Sequence, residues 1–352
     1  MDILNFISWI KGSRVVTTVD ASRTLLPVGL KDPKRDDGYL AGAISVADFA
    51  SAIVPTFTNC NIAFGENALS NISSGTGTSN IAIGCNSMAN TTSNPFANIA
   101  IGEDTLKNTA NLYNIAIGYG SQKNNVNGQA CIGIGIDTLK ETENGPNIAI
   151  GNYALQRNTI GFRNVAVGSE SLTFNTTGEF NTAFGVQSLR QNTTGNANTA
   201  IGDSSLNFND GGVFNVAVGY ESLYSNTSGQ FNTATGYNSL RGNTTGFFNT
   251  AVGNFALYNN TISTRNTAVG GYSLDDNTTG IGNSALGYET ESGNFSNSVI
   301  LGRSATATAS NQFVVGSTTY NAGAIATEAL TLTTSWKVKI NGVDYKIPLQ
   351  LA

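Results

Sequence analysis

The sequence predicts an all-β protein, a parallel β-roll or β-solenoid of about 16 coils with a 17-residue period. Three observations predict it. First, the pentapeptide Asn-x-Ala-x-Gly recurs along most of the 352 residues. Its closing glycines are Gly65, Gly84, Gly102, Gly118, Gly135, Gly151, Gly168, Gly185, Gly202, Gly219, Gly236, Gly253, Gly270, Gly287, Gly302 and Gly316, and from Gly151 to Gly287 every interval is 17 residues. Second, a leucine stands four residues after most of these glycines, as at Leu69, Leu106, Leu139, Leu155, Leu172, Leu189 and onward to Leu274. Third, Asn, Thr, Ser and Gly dominate while charged residues are 12%. These residues form tight corners and hydrogen-bond without charge. The regular aliphatic positions separate the chain from disordered sequences of similar polarity.

Three regions follow in order. Residues 1–58 are non-repetitive and carry much of the charge. Ile3, Leu4, Phe6, Ile7 and Ile10, with Trp9 among them, recur at helical spacing, so a short amphipathic helix is expected. Arg14-Val-Val-Thr-Thr-Val19 reads as a strand, and Lys31-Asp-Pro-Lys-Arg-Asp-Asp-Gly38 as a charged turn. Ser45 is placed as the N-cap of a second short helix, because an acid follows three residues later. The region is therefore expected to be a small α/β segment that docks onto something larger. Residues 59–316 hold the array. In residues 317–352, two alternating runs, Trp336 to Ile340 and Val343 to Ile347, flank Asn341-Gly342. Asn-Gly between alternating runs is a strong hairpin signal, and Tyr345 lies on the second strand.

A single coil can be read from residues 181–197. Its first five residues form a strand with alternating faces. Asn181, Ala183 and Gly185 make a small face, and Thr182 and Phe184 a bulky one. Leu189 points inward, and Asn192-Thr-Thr-Gly195 turns a corner. Two short strands and two turns per coil are expected. Coils stacked at roughly 4.8 Å would build a rod on the order of 70 Å long, with the asparagines in a hydrogen-bonded ladder.

The bulky face comprises Ile81, Ile83, Ile99, Ile101, Ile115, Ile117, Ile148, Ile150, Val165, Val167, Phe184, Val216, Val218, Val252 and Val269, joined by Phe180, Phe214, Phe231 and Phe248 just before the motif asparagines. A 17-residue coil is thin. It can hold the leucine row against Ala and Gly, but little more. The bulky stripe is then expected to point outward. Such a stripe exceeds what monomers usually expose, and burial on a rotational axis resolves it. The competing arrangement puts Ile and Val inside a monomeric solenoid.

These residues resemble the head repeats of trimeric autotransporter adhesins and the related shafts of bacteriophage fibres. The resemblance rests on Asn80-Ile-Ala-Ile-Gly84, Asn164-Val-Ala-Val-Gly168 and Asn283-Ser-Ala-Leu-Gly287. Asn297-Ser-Val-Ile-Leu-Gly302 and Asn311-Gln-Phe-Val-Val-Gly316, at shortened spacings, look like the last repeats of phage tail fibres. About three quarters of the chain is covered. The resemblance implies a homotrimer in a left-handed parallel β-roll, with the aliphatic residues flanking each Ala on the trimer axis. The adhesin family also carries an export signal and a membrane barrel. Neither is expected from this sequence, which turns the reading toward a virion fibre made in the host cytoplasm. Residues 1–58 then form the virion anchor through Ile3, Leu4, Phe6, Ile7, Trp9 and Ile10. The hairpin of Trp336, Asn341, Gly342 and Tyr345 forms the tip. The expected partners are further copies of the chain, virion proteins and a host surface receptor, a glycan among the candidates. A spacer fibre without receptor affinity, a bacterial adhesin and a polysaccharide depolymerase are the alternatives.

The chemistry expected is that of a non-enzyme with no cofactor or metal. The chain has no histidine, which removes Ser-His and Cys-His catalysis and histidine metal sites. A net charge of −5 gives no basic footprint for nucleic acid, and no stretch is apolar for long enough to span a bilayer. Cys60, Cys85 and Cys131 read as reduced thiols, Cys131 packing at a motif Asn position. Gly133-Ile-Gly135 ends a strand and precedes no helix, so it is no phosphate loop. Glu103-Asp104 and Asp275-Asp276 are expected to be solvated corner acids. Tyr113, Tyr119, Tyr153, Tyr220, Tyr224, Tyr237 and Tyr258 are candidate sugar-stacking groups, with packing between coils as their simpler role.

Overall fold

The computed structural model of the chain describes residues 60–71, 77–91, 94–108 and 112–319, together with four further strands at backbone level. Two of those, β1 (Leu25–Leu30) and β2 (Leu40–Ser45), pair antiparallel from Leu25↔Ser45 to Leu30↔Leu40. They flank the charged 31–38 segment. Ser45 closes a strand, and the helix expected after it lies outside the described residues. The expected helix at residues 3–10, with its anchor side chains, and the expected strand at 14–19 lie outside the described residues. No helix occurs among the described residues. At the other end, β19 (Trp336–Ile340) and β20 (Val343–Ile347) form the expected hairpin, in register from Trp336↔Ile347 to Ile340↔Val343.

Between them, sixteen three-residue strands form one parallel sheet in sequence order, from β3 (Ile62–Phe64) to β18 (Phe313–Val315). The roll winds about 14 turns. Each motif Ala pairs with the next motif Ala, as in Ala183↔Ala200 and Ala200↔Ala217. Intervals that depart from 17 residues leave this register intact, as at Ala63↔Ala82. Spare or missing residues fall outside the strands.

The second strand of each coil is not formed. Residues 186–191 are turns, in which right- and left-handed residues alternate: Gln187 has φ 55° and Leu189 φ 51°. The pattern repeats at Glu170 and Leu172, and at Glu221 and Leu223. A left-handed non-glycine residue costs roughly 1–2 kcal/mol. Two things offset that cost. The Leu189 N–H donates to the Ser205 carbonyl of the next coil at 3.0 Å, and the Leu189 side chain is fully buried. Burying a leucine contributes about 1.5–3 kcal/mol. Its row runs unbroken from Leu139 to Leu274, against fully buried Ala166, Ala183, Ala200 and their equivalents.

Two asparagines per coil tie the stack. The Oδ1 of Asn215 accepts the Asn232 N–H at 3.0 Å, and its Nδ2 donates to the Gly229 carbonyl at 2.8 Å. Asn226 donates to the same carbonyl at 3.1 Å and to Asn209 Oδ1 of the previous coil at 2.7 Å. Both ladders are buried. Glycine is required at two points. A Cβ on Gly219, whose φ is +132°, would lie 2.5 Å from the Gly236 carbonyl oxygen, and one on Gly229 would lie 2.3 Å from Asn226 Oδ1.

Departures from the motif occur together. In the coil of residues 114–130, Gln122 replaces leucine and is fully buried. Its Nε2 donates to the Ile115 and Cys131 carbonyls, and its Oε1 accepts from Asn125. Gly133 stands where other coils have Ala, and a Cβ there would crowd Ser121 and Gln122. Cys131 takes the ladder position as expected: its N–H reaches Asn114 Oδ1 at 2.9 Å. The neighbouring Asn114 Nδ2 is left without a partner. Near the end, Ser298 and not Asn297 continues the ladder, bonding to Asn283, and Ile300 fills the alanine position.

Removing one ladder side chain strands buried backbone groups. Asn215→Ala should lower unfolding stability by about 2–4 kcal/mol, because the buried Asn232 N–H loses its acceptor and the Gly229 carbonyl keeps only its longer bond from Asn226. The outward Thr233→Val should change it by less than about 0.5 kcal/mol. Denaturant midpoints of the two variants check this, and equal effects would refute the role of the ladder.

Candidate functional site

The strand face opposite the core is the most extended surface feature of the roll. Every side chain assigned to the stripe by sequence is half-buried or exposed, while the alanine between each strand pair is buried. Phe184 is 56% exposed, Phe214 54% and Phe248 51%. Ile83, Ile101, Ile150, Phe180, Val216, Phe231 and Val252 are exposed as well. Ile81, Ile99, Ile115, Ile117, Ile148, Val165, Val167, Val218 and Val269 are half-buried. The arrangement with Ile and Val inside is therefore not adopted.

The stripe changes character along the roll. From Ile81 to Ile150 it is built of paired isoleucines; from Thr182 onward, threonine often takes the first place, as at Thr199, Thr233, Thr250 and Thr267. Aromatics then supply the apolar surface. Phe214, Phe231 and Phe248 stack nearly parallel, with centroids 5.1 and 4.9 Å apart. Arginines mark the ends of this column, Arg163 lying 5.4 Å from Phe180 and Arg265 5.5 Å from Phe247.

The tyrosines form a second column beside the motif glycines. Tyr220 stacks on Tyr237 at 5.4 Å, Tyr237 meets Phe255 at 5.2 Å, Phe255 stacks on Tyr272 at 4.9 Å, and Tyr272 meets Tyr288 at 5.9 Å. Sequence reasoning missed Phe255, Tyr272 and Tyr288; the ring stands one residue after the glycine at Tyr220, Tyr237 and Tyr288 but two residues after it at Phe255 and Tyr272, which breaks the column's period. Tyr119 and Tyr153 are exposed, and Tyr113 packs against Phe96 at 5.6 Å. Tyr224 and Tyr258 belong to a third column, where Arg241 lies 5.0 and 6.0 Å from their rings.

The corner acids are not uniformly solvated. Asp104 is buried and bonds both Lys107 and Lys123 at 2.8 Å. Burial raises its pKa, but the two lysines outweigh burial and hold the carboxyl below its ordinary range. Asp275 and Glu291 sit together in adjacent coils. Burial first, then the hydrogen bond and charge of Asp275, push Glu291 up to about 8, and Asp276 and Glu289 add to the shift. Asp275 is itself raised, chiefly by burial. Burial also pushes the Cys131 thiol up to about 11, against the Asn147 N–H. The three cysteines are unpaired. No group of three or more potential ligands is placed to hold a metal among the described residues.

The fold defines a fibrous β-solenoid repeat protein, an architecture compatible with a structural fibre or an adhesin. No known family model and no curated protein matches the chain.

The Glu291 carboxyl gives a pH signature. A raised acid pKa means that the folded state holds its proton after the unfolded chain has lost it. Stability is therefore lost as pH rises between 4.5 and about 8. Glu291→Gln should stabilise the protein at pH 8 by on the order of 1 kcal/mol, since the group is only partly buried and solvent screens it. The difference from the parent should vanish below pH 4.5. Thermal unfolding across this range measures it, and a pH-independent difference would refute the assignment.

Proposed function

We propose that this chain forms a homotrimeric virion fibre, anchored through its N-terminal region to a phage particle and displaying a distal surface for host adhesion. The observation that carries the reading is the outward apolar stripe, continuous along the sixteen-stranded sheet. A soluble monomer seldom exposes a patch of that extent. Three copies related by rotation about an axis that runs parallel to the roll along the stripe would bury the isoleucine pairs and the phenylalanine column against their equivalents. The stacked register suits this use: each coil presents the same two positions at the same height, so one residue type can meet itself across the axis.

In this reading the roll is a shaft and does no catalysis. The first 58 residues meet virion proteins, and the residues after the roll, with the β19–β20 hairpin, form the tip. The turn side of the roll remains outside the assembly, free to meet a receptor. The protein is made in the host cytoplasm and resides in the virion. The motif resemblance to adhesin heads and phage shafts supports the trimer, as do the small residues that fill each coil and leave no inner room for the stripe.

Sedimentation equilibrium and native mass measurement test the oligomer. The expected mass is three times the 36.7 kDa of the chain. The double variant Ile117→Lys and Ile150→Lys should dissociate it while leaving the β-sheet circular dichroism unchanged, because both side chains face away from the core. A monomer at micromolar concentration would overturn the reading. Gold labelling of purified particles through a tag at residue 352 tests the virion location.

A further inference from the structure

The turn side of the roll carries a groove that the stripe does not involve. In the coils that start at Asn147, Asn164, Asn181, Asn198 and Asn215, the eleventh residues are Arg157, Phe174, Gln191, Phe208 and Ser225. An amide thus stands between two phenyl rings two coils apart, a separation of roughly 10 Å. The shorter, flexible glutamine leaves a groove of about 500 Å³, also lined by Arg190, Thr193 and Asp210. That size lies within the usual range for ligand clefts.

The walls are chemically distinct. Phe208 leans edge-on against Tyr224, 5.0 Å away and outside the groove lining, and is 38% exposed. Facing it, the Arg190 guanidinium lies 5.1 Å from the Phe174 ring and is fixed by its Nε hydrogen bond to Glu170 at 2.7 Å. Among the described residues its terminal nitrogens have no hydrogen-bond partner. The Gln191 side-chain amide likewise has no partner among the described residues, its backbone N–H alone bonding to the Asn207 carbonyl. Asp210 accepts from the Thr193 hydroxyl and keeps a second oxygen for another donor. A ring face, three sets of donors or acceptors and a carboxylate are therefore gathered on one short stretch of surface.

We propose that this groove binds one or two neutral hexopyranose units of a polysaccharide. The apolar C–H face of a pyranose packs on Phe208. Its hydroxyls accept from Arg190 and Gln191 and donate to Asp210 and the Gln191 carbonyl. The charge decides for a neutral sugar. Within the lining Arg190 is already bonded to Glu170 and Asp210 has no cation bonded to it, and Arg157, stacked on Phe174, stands outside the lining, so a uronic acid would find no unpaired cation in the groove and would meet the Asp210 carboxylate. The groove rests on the fibre reading only for its place on the outside of the assembly.

The test titrates the full-length protein with neutral gluco-, galacto- and manno-tetraoses, and with oligogalacturonate as the acidic comparison, using saturation-transfer NMR and calorimetry. At least one neutral oligosaccharide should bind, and Phe208→Ala and Gln191→Ala should each weaken it by about tenfold. Unchanged circular dichroism and native mass show that the variants fold and assemble. No binding by any neutral probe, binding unaltered by both variants, or preference for the acidic probe would overturn the proposal. Native mass on the same samples separates the two ideas: a monomer that still binds sugar through Phe208 removes the trimer and keeps the groove, and a trimer that binds none does the reverse.

Discussion

From the coil that starts at Asn147 to the one that starts at Asn266, the roll depends on the convergence of two asparagine side chains on one backbone carbonyl, a glycine's in every coil but that of Ser263. Asn215 and Asn226 both donate to Gly229, each bonding also to its counterpart in a neighbouring coil. A 17-residue coil has too little apolar volume to close by burial alone. These amides close it, satisfying buried backbone groups that no regular strand reaches. The rest follows from their geometry. Glycine is needed where the two amides meet, and again at Gly219, where consecutive coils touch backbone to backbone. The interior left over admits alanine and one leucine, so larger side chains of the strand point outward.

Much of this is legible in the sequence because the restrictions are periodic. A residue that must be Asn, Ala or Gly at every coil announces itself by recurrence, and the strand, its register and its buried face were readable from that alone. The hairpin at Asn341-Gly342 was readable from local turn chemistry. The left-handed turns of Gln187 and Leu189 were not. Leucine is an ordinary strand residue, and nothing in its spacing reveals φ near +50°. That conformation is imposed by hydrogen bonding to the next coil, a tertiary effect that overrides local preference. The β1–β2 pairing was missed for a different reason: Leu25–Leu30 contains Pro27 and Gly29, which weaken a strand signal. At the functional surface, the stripe was visible at its fixed positions. The Tyr220–Tyr288 column and the Phe174–Gln191–Phe208 groove were hidden, because their members shift phase or owe their meaning to one coil that breaks the pattern.

The periodic and the variable parts of the coil divide the work. Identical positions set length, stiffness and the stripe, and stacking makes each of them a continuous row. Variable corner positions carry no structural duty beyond turning, and there the aromatic and arginine columns differ from coil to coil. A roll built this way can change its outer chemistry without changing its fold. Substitutions at Gln191 or Phe208 leave the asparagine ladders and the leucine row untouched, whereas a substitution at Gly219 cannot.

The central claim is that the coil is too thin to hold its own bulky face, so that copies of the chain share it. Dipolar distance measurement tests it most directly, with spin labels at Val252→Cys on the stripe and at Asn259→Cys on the turn side of the same coil, in a chain with Cys60 and Cys85 replaced by serine. The account predicts a single narrow interchain distance at Val252, clearly shorter than that at Asn259. Absence of interchain coupling at Val252, or a shorter distance at Asn259, would contradict it.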